Sequence, residues 1–172
     1  MKSLIFDTGA IISLATNNLL WILEPLKKHF KGDFVIPKAV KTELIDNPLK
    51  SYRFRLEAMQ VLSEVARGNI KICSKEFGKE RNGVEEIVNS IFLARGKFIK
   101  VAHPGEIAVL ALAKQLNAEA LVIDERTIRV LIEDPKQLAK LLSRRLHTEV
   151  IYLENFLSIC PQDFNVALIF ST

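Results

Sequence analysis

Ser3-Leu4-Ile5-Phe6-Asp7-Thr8-Gly9-Ala10-Ile11-Ile12, residues 3–12, is the stretch that decides the fold. Its apolar run, 3–6, is too short for a core helix and suits a strand buried on both faces. Asp7 closes the run, and a short helix is expected after Gly9, through Leu14. The same punctuation returns at Leu121-Val122-Ile123-Asp124 and, without an acid, at Phe34-Val35-Ile36. Further strands are expected at 70–73 and at 149–152, the latter closing the sheet and leading into a helical turn. Helices are expected over 19–30, stopping at Gly32, and from Pro37 to about Asp46, ahead of Asn47-Pro48. Pro37 would sit at the first helical position, where its missing N–H costs nothing. More helices follow over 51–67, ended by Gly68, over 84–95, ended by Gly96, and from Glu106 to Lys114. Two basic helices split at Asp134-Pro135 come after the strand at 120–124. Strands alternating with helices specify an α/β fold around a parallel sheet with right-handed crossovers. Residues 97–105 read as a loop, 48–100 as a largely helical excursion, and 166–170 as an apolar, β-prone tail suited to docking or dimerisation.

The bulk properties agree with one domain over 1–172, long enough to bury about 70% of its unfolded surface. The chain is 49% hydrophobic and 26% charged with a net charge of +4, an ordinary globular composition. Its pI near 9.1 tolerates a polyanionic partner without requiring one. Arg126, Arg129, Lys136, Lys140, Arg144 and Arg145 crowd the two late helices against Glu133 and Asp134, and Lys27, Lys28, Lys31, Lys38 and Lys41 form an earlier group against Asp33. These are solvated helix faces or phosphate-gripping flanks of a pocket. Cys73 and Cys160 have neither metal-ligand spacing nor a disulfide framework and are expected reduced. Asp7 interrupts the first apolar run too early for a signal peptide, and no stretch reaches the length of a membrane span. A cytoplasmic location is expected.

The chemistry lies in four carboxylates. Asp7 and Asp124 stand at strand ends, Glu43 on the helix after the second strand, and Glu106 at the head of a helix apolar almost all round. In open α/β sheets, ligands bind beyond the carboxyl ends of the strands. Each acid also has a structural reading. Asp7 and Asp124 suit N-caps, Glu106 suits a helix dipole, and Glu43 suits solvent. Together they point elsewhere. Carboxylates about 5 Å apart repel by roughly 3 kcal/mol per pair at an effective dielectric near 20, so a shared pocket calls for protons or divalent cations. On its helix, Glu43 shares a side with Ala39 and Val40 and is expected to lean toward the apolar seam.

Asp7-Thr8 within Ile5-Phe6-Asp7-Thr8-Gly9-Ala10-Ile11-Ile12, Lys41-Thr42-Glu43-Leu44, Gly105-Glu106-Ile107-Ala108 and Ile123-Asp124-Glu125-Arg126 resemble the successive motifs of PIN domains, the PilT N-terminus nucleases. The resemblance spans about 2–155, and four short motifs in order are fairly specific. A Gly-Glu third acid resembles an archaeal and bacterial branch, whereas many PIN domains carry Asp there. The resemblance implies a three-layer α/β/α fold and a Mg²⁺- or Mn²⁺-dependent ribonuclease using a two-metal mechanism. Hard cations prefer such oxygen ligands, and two ions about 4 Å apart suit an in-line phosphodiester displacement. It assigns Asp7, Glu106 and Asp124 to metal and Glu43 to the attacking water or a second ion. Thr8 then contacts phosphate or a metal water, Glu125 is an outer-shell acid, and Arg126 and Arg129 are phosphate clamps at helical i, i+3 spacing. The implied partners are RNA, a second copy in a homodimer and, if the chain is the toxin of a toxin–antitoxin pair, a small antitoxin. A housekeeping RNA-processing nuclease is the other role.

Rival readings are fewer. Asp7-Thr8-Gly9-Ala10 also spells the aspartic-protease signature, but that fold is all-β and this chain is rich in helices. No GxGxxG or P-loop occurs. An acidic-pocket phosphohydrolase or receiver-like domain, and a non-catalytic RNA-binding or assembly module on the same fold, stay open. His103, just before Pro104, reads as a loop histidine, and Trp21 as core or interface.

Overall fold

The computed structural model describes residues 2–74, 78–153 and 165–168. Five parallel strands form the main sheet: β1 (Ser3–Phe6), β2 (Asp33–Pro37), β3 (Lys71–Cys73), β6 (Ala120–Ile123) and β8 (Asn165–Leu168), in the order β3-β2-β1-β6-β8. Helices α1 (Thr8–Thr16), α2 (Leu23–Phe30), α5 (Arg55–Ala66), α7 (Pro104–Leu116), α8 (Arg126–Glu133) and α9 (Pro135–Leu146) flank it in an α/β/α sandwich. The α7 helix lies across β1, β2 and β6. This position explains why seven of its residues are buried, from Gly105 to Ala113. Ile5, Phe34, Ile36 and Leu121 are sealed within the sheet, and the Phe6 and Phe34 rings meet at 5.2 Å. Each such apolar side chain contributes about 1.5–3 kcal/mol by leaving water.

Several elements differ from the sequence reading. Pro37 ends β2 with extended backbone (ψ 161°) instead of starting a helix. The following helix begins with α3 (Lys38–Lys41), widens into a π turn over Thr42–Asp46 and continues as α4 (Asn47–Leu49). Pro48 has no N–H for the α ladder, and the wider turn carries the chain past it. The expected helix over 84–95 is instead α6 (Gly78–Val88) followed by β4 (Phe92–Ala94). β4 turns through Arg95-Gly96 into β5 (Lys97–Phe98), inside the expected loop. β7 (Val150–Tyr152) pairs antiparallel with β4 in this separate three-stranded sheet, so it does not close the main one. That edge belongs to β8, from the apolar tail. Trp21 is 67% exposed and is not core. Cys160, the helical turn expected after 152, and residues 169–170 of the tail lie outside the described residues. Among the described residues no helix is long and apolar enough to cross a membrane.

Candidate active site

Parallel pairing sends the ends of β1 and β6 to one edge of the sheet. Phe6 pairs with Val122, so Asp7 and Asp124 emerge side by side where the strand order switches direction. The Asp7 backbone N–H donates to Val122 O at 3.1 Å. Its carboxylate caps α1, accepting from the Ala10 N–H at 2.7 Å, and is only 5% exposed. Burial pushes its pKa from 3.8 up to about 6, against the lowering pull of the Ala10 and Asp124 N–H groups. The charges of Asp124 and Glu106 add to the rise. A carboxyl shifted this far in a cleft is a candidate for functional chemistry as well as a helix cap.

Glu106 stands in the first turn of α7, behind Pro104 at a position that needs no N–H. Its carboxylate accepts from the His103 backbone N–H. Burial raises its pKa despite that bond, and the charges of Glu125 and Glu43 raise it further. Glu43 arrives from the π turn. Thr8 Oγ1 donates to Glu43 Oε2 at 2.6 Å. Glu43 itself is exposed while Leu44 and Ile45 are buried, so it reaches the site from the solvent side and not from the apolar seam. Glu125 caps α8, accepting from the Ile128 N–H at 2.8 Å. Asp7, Thr8, Glu43, Glu106 and Glu125 line one cavity of about 470 Å³, together with His103.

Asp124 adjoins this cavity without lining it. Its Cβ lies 3.3 Å from where a Cβ on Gly9 would stand, and its Oδ2 accepts from Ser13 Oγ. Ser13 is the neighbour that sequence reading missed. It is the one polar side chain between Gly9 and Ala15, and it lies four residues after Gly9 on the same helix face. That break in an apolar helix was the available signal. Arg126 and Arg129 do not line the cavity. Arg126 is exposed at the first position of α8, and Arg129 turns its Nε toward Glu133 Oε2 at 3.7 Å.

A protein-family model described as a PIN domain matches residues 3–134, the segment from β1 through α8 that carries every one of these acids. The chain belongs to the PIN-domain family. No curated protein and no solved structure matches it. PIN domains are commonly nucleases and typically use divalent metals. In this PIN domain, no three acidic, histidine or cysteine side chains among the described residues stand at metal-binding spacing. Each acid is turned onto a protein donor instead: Asp7 onto Ala10, Glu43 onto Thr8, Glu106 onto His103, Asp124 onto Ser13. The donor set nevertheless fits a hard cation, being all carboxylate oxygen. The raised pKa values of Asp7 and Glu106 come first from burial, with the neighbouring carboxylates adding to the rise, and a cation would offset both causes.

Proposed function

We propose that this PIN domain is a Mg²⁺- or Mn²⁺-dependent ribonuclease that cuts RNA phosphodiester bonds by hydrolysis. The observation that carries the reading is Asp7, a nearly inaccessible carboxylate titrating near 6 in a cavity shared with Glu43, Glu106 and Glu125. Gathered like charges of this kind are relieved by protons or by a divalent cation. A bound cation supplies Lewis acidity at a phosphate oxygen and a lowered pKa for water. Asp7 and Glu106 would hold it, and Asp124, now accepting from Ser13, would be the third carboxylate. Glu43, steadied by Thr8, takes the proton of the attacking water, and Glu125 orients the surrounding waters. Arg126, exposed beside Glu125, meets a backbone phosphate of the strand. The products are a 5′-phosphate and a 3′-hydroxyl. In a toxin–antitoxin pair, a small antitoxin would silence the enzyme by covering the acidic cavity, and a homodimer is the expected assembly.

Incubating the purified chain with a mixed RNA pool and Mn²⁺ or Mg²⁺, then mapping the cut ends, tests this. Cleavage that EDTA and Asp7→Asn both abolish is the expected result, and intact RNA with either metal overturns it. A second reading, an RNA-binding module that does not cut, draws on the hydrogen bond each acid makes to the protein. RNA bound but uncut in the presence of Mn²⁺ would select it.

A further inference from the structure

A second cavity is lined by residues of α3 and α7 that neighbour in sequence those lining the acidic one. Thr42 faces it where Glu43 faces the acids, and Ala108, Ala111 and Leu112 line it farther along α7 from Gly105 and Glu106. Its volume of about 370 Å³ lies within the roughly 300–1,000 Å³ span of small-molecule sites. Its charge is opposite to that of its neighbour. Lys38 and Arg81 line it, and none of the described residues lining it is acidic. The Arg81 Nε is shut off from solvent and has no hydrogen-bond partner among the described residues. A buried donor left unmade costs about 1–3 kcal/mol, more when charged. Arg81 also stands in the first turn of α6, where a cation opposes the helix dipole. An anion in the cavity offsets the second penalty directly, and the first once the guanidinium turns its Nε into the cavity. The small side chains of Ala39, Ala108 and Ala111 leave an apolar wall beside the cations, which suits a sugar or base and not a bare ion.

We propose that this cavity is a nucleotide subsite. Arg81 takes a phosphate, and the apolar wall of α7 takes the sugar or base, of a nucleotide flanking the bond held at the acidic site. This inference rests on the ribonuclease reading above. A free mononucleotide offers the same chemistry, so the test carries both probes.

Short single-stranded RNA and uridine 5′-monophosphate are titrated against the full chain, Arg81→Gln and Ala108→Leu, in EDTA so that nothing is cut. Cys73 borders the same cavity and is half-buried. Its alkylation rate, read on its own peptide by mass spectrometry, reports occupancy without reference to cleavage. Arg81→Gln is expected to weaken RNA binding about tenfold, the scale of one charged hydrogen bond. The salt slope becomes shallower by about 0.7, the loss of one phosphate contact on a single strand. RNA slows Cys73 alkylation several-fold in the parent and not in Arg81→Gln. Ala108→Leu, which narrows the cavity at its apolar wall, loses the protection while circular dichroism stays unchanged. Protection by the mononucleotide but not by RNA overturns a strand subsite. Equal binding and equal protection in the parent and both variants overturn it too, and leave the nuclease standing if the parent cuts RNA with Mn²⁺. Loss of binding in the variants of a parent that never cuts keeps the subsite and sinks the ribonuclease reading. A parent that binds neither probe overturns the subsite, and cleavage of RNA with Mn²⁺ then decides the ribonuclease reading by itself.

Discussion

Gly105 and Glu43 compete for one small volume: a Cβ on Gly105 would stand 2.7 Å from Glu43 Oε1 and 3.1 Å from Oε2. At that distance something must shift, and the far end of a flexible side chain gives way before backbone does. Gly105 is not among the residues with positive φ, so its backbone does not bar a side chain, and alanine favours a helix by up to about 1 kcal/mol over glycine. Gly105→Ala is therefore expected to keep or slightly raise the melting temperature. Displacing Glu43 should lower RNA cleavage ten- to a hundredfold, the scale for a misplacement of about an ångström in a catalytic group. A variant as stable and as active as the parent would show that the position of Glu43 is immaterial.

Asp7 makes stability depend on pH in the sense opposite to an ion-paired carboxylate. Its pKa is about 6 in the fold against 3.8 in the free chain. Below the lower value it is protonated in both states and the penalty is absent. As pH rises through the folded value the buried carboxyl ionises, and stability on the order of 3 kcal/mol is lost across the window. Asp7→Asn keeps a side chain that caps α1 well and removes the ionisation. In EDTA, the gain in melting temperature of Asp7→Asn over the parent should be about 6–12 °C at pH 7.5 and should shrink toward pH 5. Thermal melts of both proteins at both values check this, and a gain that grows on acidification refutes the burial argument.

The same two raised pKa values couple metal binding to proton release. Near pH 6, Asp7 holds a proton in a sizeable share of molecules, and Glu106 is shifted in the same direction. A cation binds only the ionised carboxylates and must displace those protons. Calorimetric titration with Mn²⁺ in two buffers of different ionisation enthalpy is expected to show about half a proton or more released per ion at pH 6, and almost none at pH 8. Equal heats in both buffers at pH 6 would place the ion away from Asp7 and Glu106.

The parts of this architecture legible in the chain are those where local signals agree. β1 and β6 are short apolar runs stopped by Asp7 and Asp124, and that punctuation places both acids at one sheet edge. Where a signal serves two structures, the reading went astray. Ile91-Phe92-Leu93-Ala94 is apolar at every position and fits either period. Pro37 suits the end of a strand as well as the start of a helix, because neither needs its N–H. The direction of the Asp124 carboxylate was out of reach for another reason. It depends on Ser13, 111 residues away, and no local pattern encodes a rotamer set by a distant hydroxyl. Exposure likewise separated Arg126 from Arg129, which share a helix and a spacing but not a surrounding.

The turn at Arg95-Gly96 allows the revised reading of 84–98 to be tested by the sign of a single effect. Arg95 and Gly96 have φ of 50° and 74°, and Ala94 pairs with Lys97 across them. A two-residue hairpin with both central φ positive is a type I′ turn, which favours Asn-Gly. Arg95 carries a left-handed strain of about 1–2 kcal/mol that asparagine largely avoids. Its Nε contact with Thr148 Oγ1, at 3.4 Å and exposed, offsets little of that. Arg95→Asn is therefore expected to stabilise by about 0.5–1 kcal/mol, seen as a higher denaturation midpoint at an unchanged slope. A helix running through 95 predicts the reverse, because arginine is the better helix former by roughly half a kcal/mol. A lowered midpoint would restore the helix and remove the strand on which β7 docks.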